Sequence, residues 1–149
     1  MRHWAEALVE LDAALAIQPD NAAWHAQRGV LLEELGRSEE AAGAFERSLD
    51  IDGSDPDVVM ALATTLVSLN RLARALGLLE ELSKQVSDYH PAVCQRIKVL
   101  AQLGKHEAAE ETFYLAQQTV DDCPDCFFYM AESLAAREND ERAMYCLER

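Results

Sequence analysis

The chain has 149 residues, 50% of them hydrophobic and 27% charged, a globular balance with length enough for one compact domain or a short repeat array. Thirteen Lys and Arg stand against 27 Asp and Glu, and the resulting formal charge of -14 repels phosphate backbones and anionic bilayers, so neither nucleic acid nor membrane is an expected partner. Four Cys in a chain this long do not suggest a disulfide scaffold, the uncharged stretch at 58–70 is too short to span a bilayer, and an acid as early as Glu6 is unlike a signal-peptide core; a cytoplasmic location is expected.

A gapless shift of 34 residues aligns the chain with itself. Ala7, Ala41, Ala75, Ala109 and Ala143 fall at one phase, and Leu11, Phe45, Leu79, Phe113 and Leu147 follow four residues later. Leu32, Leu66, Leu100 and Leu134 make a third column, and Gly29, Ala63, Ile97 and Ala131 a fourth. In chain order this gives a partial unit at 1–21, whole units at 22–55, 56–89 and 90–123, and a partial unit at 124–149. Each whole unit carries two helical stripes, such as Val93, Ile97, Leu100 and Leu103 followed by Ala109, Phe113 and Ala116 in the third. The break between them is Leu35-Gly36-Arg37, Leu69-Asn70-Arg71 and Leu103-Gly104-Lys105, where Gly or Asn can take the left-handed conformation that stops a helix. New units open at Asp55-Pro56-Asp57, His90-Pro91 and Cys123-Pro124-Asp125, since Pro fits a first helical turn. The pattern predicts nine helices, each antiparallel to its neighbours, and no strand.

A 34-residue helix pair with small residues at two fixed phases and Ala-x3-Phe in its second helix resembles the tetratricopeptide repeat. The best unit reads Trp24…Gly29…Leu32…Gly36…Ala41-x3-Phe45, and the resemblance covers the whole chain. It implies an all-α, right-handed α-solenoid of antiparallel helix pairs, with first helices lining a concave side. One pair cannot bury its apolar face alone, so stacked neighbours supply the core. Ala75 and Ala109 are expected at helix crossings, whereas Ala42, beside that phase, should tolerate more bulk. Both ends cut a repeat; Trp4, Leu8 and Leu15 at the start and Met144 and Leu147 at the end are expected to lack cover, as in a piece of a longer protein or one that self-associates through its ends.

Chemistry has little support in the sequence. The four His lie at four different phases, no Gly-rich phosphate loop is present, and the Glu39-Glu40, Glu80-Glu81 and Glu110-Glu111 pairs read as solvated helix faces. No enzyme activity and no cofactor are expected. The sharpest local motif is Cys123-Pro124-Asp125-Cys126 at a helix start, where the dipole can favour a thiolate but Asp121, Asp122 and Asp125 oppose it. A metal would need more ligands than this pair. Cys94 lies near the phase of Cys126 one unit earlier, so the two can come close but would not complete a tetrahedron; small apolar packing is the expected role and no metal site is assigned. The family resemblance points instead to the concave groove, where its recurring positions are Gln27, Val30, Met60, Thr64, Cys94, Gln95, Lys98, Phe128 and Tyr129. Lys98 is the only basic residue there, so the carboxylate clamp of chaperone-binding members is not expected. The function expected is a protein-interaction scaffold holding a partner peptide or helix in that groove. The alternative is a regulatory or substrate-docking segment of a larger enzyme, such as a glycosyltransferase or kinase.

Overall fold

The structure, a computed structural model, describes residues 2–86, 89–117 and 124–136. Among these residues every regular element is helical: α1 (Arg2–Ile17), α2 (Ala22–Glu34), α3 (Ser38–Ile51), α4 (Pro56–Ser68), α5 (Leu72–Gln85), α6 (His90–Gln102), α7 (His106–Gln117) and α8 (Pro124–Ala136). The ninth expected helix lies outside the described residues. None of these helices is long and apolar enough to cross a membrane. The chain divides into two compact units, Met1–Arg71 and Leu72–Arg149, and the division falls between α4 and α5.

The helix stops repeat with the sequence. At the end of α2, Gly36 has φ 73°. There the N–H of Arg37 donates to the Leu32 carbonyl at 2.8 Å and that of Gly36 to Glu33 at 2.9 Å. Asn70 (φ 59°) and Gly104 (φ 75°) occupy the same place after α4 and α6. Arg71 there donates to Leu66 at 2.8 Å, and Lys105 to Leu100 at 2.9 Å. This left-handed cap satisfies carbonyls that a helix end leaves open and turns the chain back within three residues. The helix starts are equally local. The Asn21 side chain accepts from the Trp24 N–H at 3.1 Å, and Asp55 accepts from the Asp57 N–H at 3.0 Å with Pro56 in the first turn. Between α3 and α4, the Ser54 hydroxyl and N–H both donate to Asp52, which holds that carboxyl below its ordinary range.

In the first unit α2 packs on α1 and on α3, and α3 on α4. From α2 to α4 the repeat columns supply the core: Leu32, Ala41, Phe45, Ala63 and Leu66 are all 2% exposed or less, whereas Ala7 and Leu11 of the same columns on α1 are half-buried. Gly29 shows why its column stays small. A Cβ built there would stand 2.5 Å from Phe45 Cε1, so the ring of α3 lies directly on the backbone of α2. Ser48, buried on α3, donates to the Ala22 carbonyl at the start of α2 at 2.8 Å. In the second unit α6 packs on α5, α7 and α8, and α7 on α8. Ala75, Leu79, Ala92, Ile97, Val99 and Ala109 are fully buried there. Phe113 of α7 meets Phe127 of α8 edge to face, centroids 5.2 Å apart and planes at 77°.

Two expectations are corrected. Ala42 is 3% exposed, as enclosed in practice as Ala41, because α3 lies against both α2 and α4 and so buries a wider arc than one crossing phase. Leu8 and Leu15 are buried at 6% and 8% exposure, since α2 covers that stripe of α1; of the three named N-terminal residues only Trp4, at 40%, is exposed. Met144 and Leu147 lie outside the described residues.

The two classes of glycine should respond oppositely to alanine. Gly36→Ala and Gly104→Ala should each cost about 1–2 kcal/mol by forcing a side chain into the left-handed region. Gly43→Ala, exposed inside α3 with nothing within 4 Å of an added Cβ, should gain about 0.5–1 kcal/mol. Urea denaturation of the three variants measures both signs. Ala109→Leu should overpack by about 1–3 kcal/mol, and Ala42→Leu should fall in that same range instead of being tolerated. An Ala42→Leu midpoint equal to wild type would show that α3 has room on that side.

Candidate functional site

The first unit carries an open groove between α1 and α2 with a volume of about 540 Å3. Ala7, Glu10, Leu11 and Ala14 line it from α1, and Trp24, Gln27, Val30 and Leu31 from α2. The spacing of three and four residues puts each set on one helix face. The walls are fixed by polar contacts outside the apolar floor. Arg28 Nε donates to Asp12 Oδ1 at 2.7 Å from α2 to α1, and the Asn21 cap sets the first turn that carries Trp24. His25 Nε2 lies 2.7 Å from the Pro19 carbonyl in the connecting turn. Val30 stands half exposed at the groove edge. On α4, Met60 is half-buried and Thr64 exposed, its hydroxyl donating to the Met60 carbonyl at 2.9 Å.

The second unit sets two first-of-pair helices side by side. On α6, His90, Cys94 and Lys98 follow at intervals of four and form one stripe; on α8, Cys126 and Tyr129 follow at an interval of three. Where the stripes meet, one ligand atom each of His90, Cys94 and Cys126 lies within 4.8 Å of the others. Within this trio Cys94 Sγ and His90 Nε2 are 3.3 Å apart. Cys94 is 8% exposed, Cys126 3%, and His90 half-buried. One turn further along α6, the Lys98 ammonium sits 5.5 Å from the centroid of the Tyr129 ring. Phe128 is 51% exposed and meets Tyr129 edge to face at 5.8 Å.

The nine residues expected in a groove therefore differ in setting. Gln27, Val30, Thr64 and Phe128 are exposed; Met60, Gln95, Lys98 and Tyr129 are half-buried; Cys94 is buried beside α8. Gln27 and Val30 share the α1–α2 groove, and Cys94, Lys98 and Tyr129 share the α6–α8 seam. Cys126 is buried, and the proximity to Cys94 that their shared phase allows is found, with His90 beside them. Cys123 lies outside the described residues. His90 was missed, although its i, i+4 spacing to Cys94 on one helix was visible in the sequence. Trp24 and the α1 wall fall outside the family's recurring groove positions, which lie at other phases of the first helices.

Glu39, Glu40, Glu80, Glu81 and Glu111 of the acidic pairs are exposed, and Glu110 is half-buried. Glu39 is ion-paired with Arg71 at 2.9 Å and Glu40 with Arg37 at 2.6 Å, all four side chains roughly half exposed or more. The Glu40 hydrogen bond holds the Arg37 guanidinium above its ordinary range. Such exposed pairs are worth little and are screened by salt.

A family model described as tetratricopeptide repeat matches residues 1–56, and another of the same description matches residues 32–97, so that together they span 1–97. No curated protein matches the chain. Among solved structures the chain is similar to MamA, at TM-score 0.88 and 13% identity over 97% of this chain and 85% of that one. It is similar also to YrrB, described as a TPR protein with an unusual peptide-binding site, at TM-score 0.84 and 24% identity over 99% of this chain and 76% of that one. A tetratricopeptide repeat protein from Parabacteroides merdae ATCC 43184 matches at TM-score 0.88 and 19% identity, over 97% of this chain and 59% of that one. At these identities the likeness is one of fold.

Lys98 and Tyr129 should be energetically coupled. A double-mutant cycle of Lys98→Met and Tyr129→Leu in urea denaturation is expected to give about 0.5–1 kcal/mol, the size of a half-exposed cation–ring contact. Strict additivity would mean that the ammonium is held by solvent and not by the ring.

Proposed function

The chain belongs to the tetratricopeptide repeat family, and we propose that it is a non-enzymatic protein-interaction scaffold that holds an amphipathic helix of a partner protein in the α1–α2 groove. The observation that carries this reading is the composition of the groove. Leu11, Trp24, Val30 and Leu31 offer apolar contact, Ala7 and Ala14 leave room, and Glu10 and Gln27 supply the polar atoms. Apolar side chains of the ligand would anchor on Trp24 and Val30, because aromatic and aliphatic pockets dominate contact energies. The opposite face of the ligand helix would be basic, matched to Glu10 and to the chain's formal charge of -14. YrrB, with its peptide-binding site on a similar fold, supports the same class of ligand. In the second unit, the exposed Phe128 with Tyr129 and Lys98 is proposed as a separate contact surface.

Contact and steering should separate kinetically. Peptides selected on the chain from a displayed library are expected to be enriched in apolar residues at helical spacing and in Lys or Arg. By surface plasmon resonance, Val30→Asp should speed dissociation more than about tenfold, because it sets a carboxylate against the apolar face of the ligand. Asp50→Asn with Glu80→Gln, both exposed and outside the groove, should instead slow association and flatten its salt dependence. Selected peptides that bind Val30→Asp as they bind wild type, with circular dichroism unchanged, would place the ligand elsewhere.

A further inference from the structure

We propose that His90, Cys94 and Cys126 form a zinc(II) site that ties α6 to α8. The chemistry of the three donors is the first argument. Two thiols and one imidazole are the soft and borderline ligands that zinc selects, and three protein ligands leave a fourth position for water or an incoming group. Their placement is the second. His90 and Cys94, one helical turn apart, chelate from one face of α6, and Cys126 closes the set from the first turn of α8. Neither helix alone holds the site.

The distances suit the ion after small rotations. With Zn–S near 2.3 Å and Zn–N near 2.0–2.1 Å, tetrahedral ligands stand roughly 3.6 Å apart for S···N and roughly 3.8 Å for S···S. Cys94 Sγ and His90 Nε2 stand 3.3 Å apart, and all three ligand atoms lie within 4.8 Å. Charge selects the oxidation state. Two thiolates and a neutral imidazole sum to minus two, which a divalent ion cancels and a monovalent one does not, and burying a net charge beside α8 would be costly. Cys94 and Cys126, at 8% and 3% exposure, sit where that cost applies. Binding would release the thiol protons and add a cross-link between successive first helices, so zinc affinity becomes stability of the second unit.

The test uses the full chain, reduced, freed of metal with a chelator, and titrated with cobalt(II) and then zinc(II). Cobalt should give tetrahedral visible bands with a thiolate-to-metal charge-transfer band of two-thiolate intensity, abolished by one equivalent of zinc. Zinc should raise the thermal midpoint. Cys94→Ser and Cys126→Ser, nearly isosteric, should each lower zinc affinity more than about tenfold and reduce the cobalt band to one thiolate, and His90→Ala should weaken binding while keeping the two-thiolate band. Circular dichroism of each metal-free variant separates ligand loss from unfolding, and the wild-type spectrum decides the matter even if a variant fails to fold. Three results would each overturn the proposal. One is wild type with no thiolate band. Another is binding that survives both Cys variants but vanishes in Cys123→Ser. The third is a Cys94–Cys126 disulfide, seen by mass spectrometry in protein isolated without reductant, that forms as readily in the presence of zinc.

Discussion

The core of each unit depends on how closely neighbouring helices can approach one another. Gly29 and Phe45 show the limit: the ring lies where a Cβ would be, so backbone and aromatic face are in direct contact. The buried Ala column at 41, 75 and 109 belongs to the same second helices and is fully enclosed at each place. Bulk at these positions would separate helices whose remaining contacts are mostly aliphatic, and the loss of dispersion would spread along the whole pair. Ile97, the largest member of the Gly29 column, is nonetheless fully buried, so the second unit accommodates there a side chain that the first could not.

Close approach requires that the chain reverse at once, and the left-handed caps at Gly36, Asn70 and Gly104 do this with backbone hydrogen bonds alone. The cap is local, recurs every 34 residues, and leaves side chains free of any role in turning. That freedom is visible in the connections that do carry side-chain contacts. Asn21, Asp52 and Asp55 lie at the other class of junction, between one pair and the next, where the chain uses Asx-type bonds. Side chains on the exposed helix faces are thus available for charge, as with Glu39 and Glu40, which pair there with Arg71 and Arg37.

The same geometry creates the two candidate sites. In the first unit, small residues on α1 leave an open trough beside Trp24 and Val30. In the second, first helices α6 and α8 pack side by side, and residues one turn apart on each helix become a single cluster. The contact of Lys98 with Tyr129 and the meeting of Cys94 with Cys126 are consequences of one helix packing, one turn apart.

The sequence by itself determined the period, the helix stops and the identity of the core columns. These are local or strictly repetitive properties: Gly36, Asn70 and Gly104 are legible because a left-handed residue is needed at each helix end, and Ala41, Ala75 and Ala109 because a buried small residue recurs at one phase of each second helix. What only the tertiary structure decided is how wide an arc of each helix its neighbours cover and which helices meet that are not consecutive in the chain. A phase fixes direction to within one helical position, whereas burial depends on the angle and offset between two helices. Ala42 is therefore enclosed although it misses the crossing phase, and Cys94, expected to face a groove, is buried against α8. Cys126 looks like half of a motif with Cys123 in one dimension; in three it stands beside His90 and Cys94, because α6 and α8 lie next to each other although they are not consecutive in the chain.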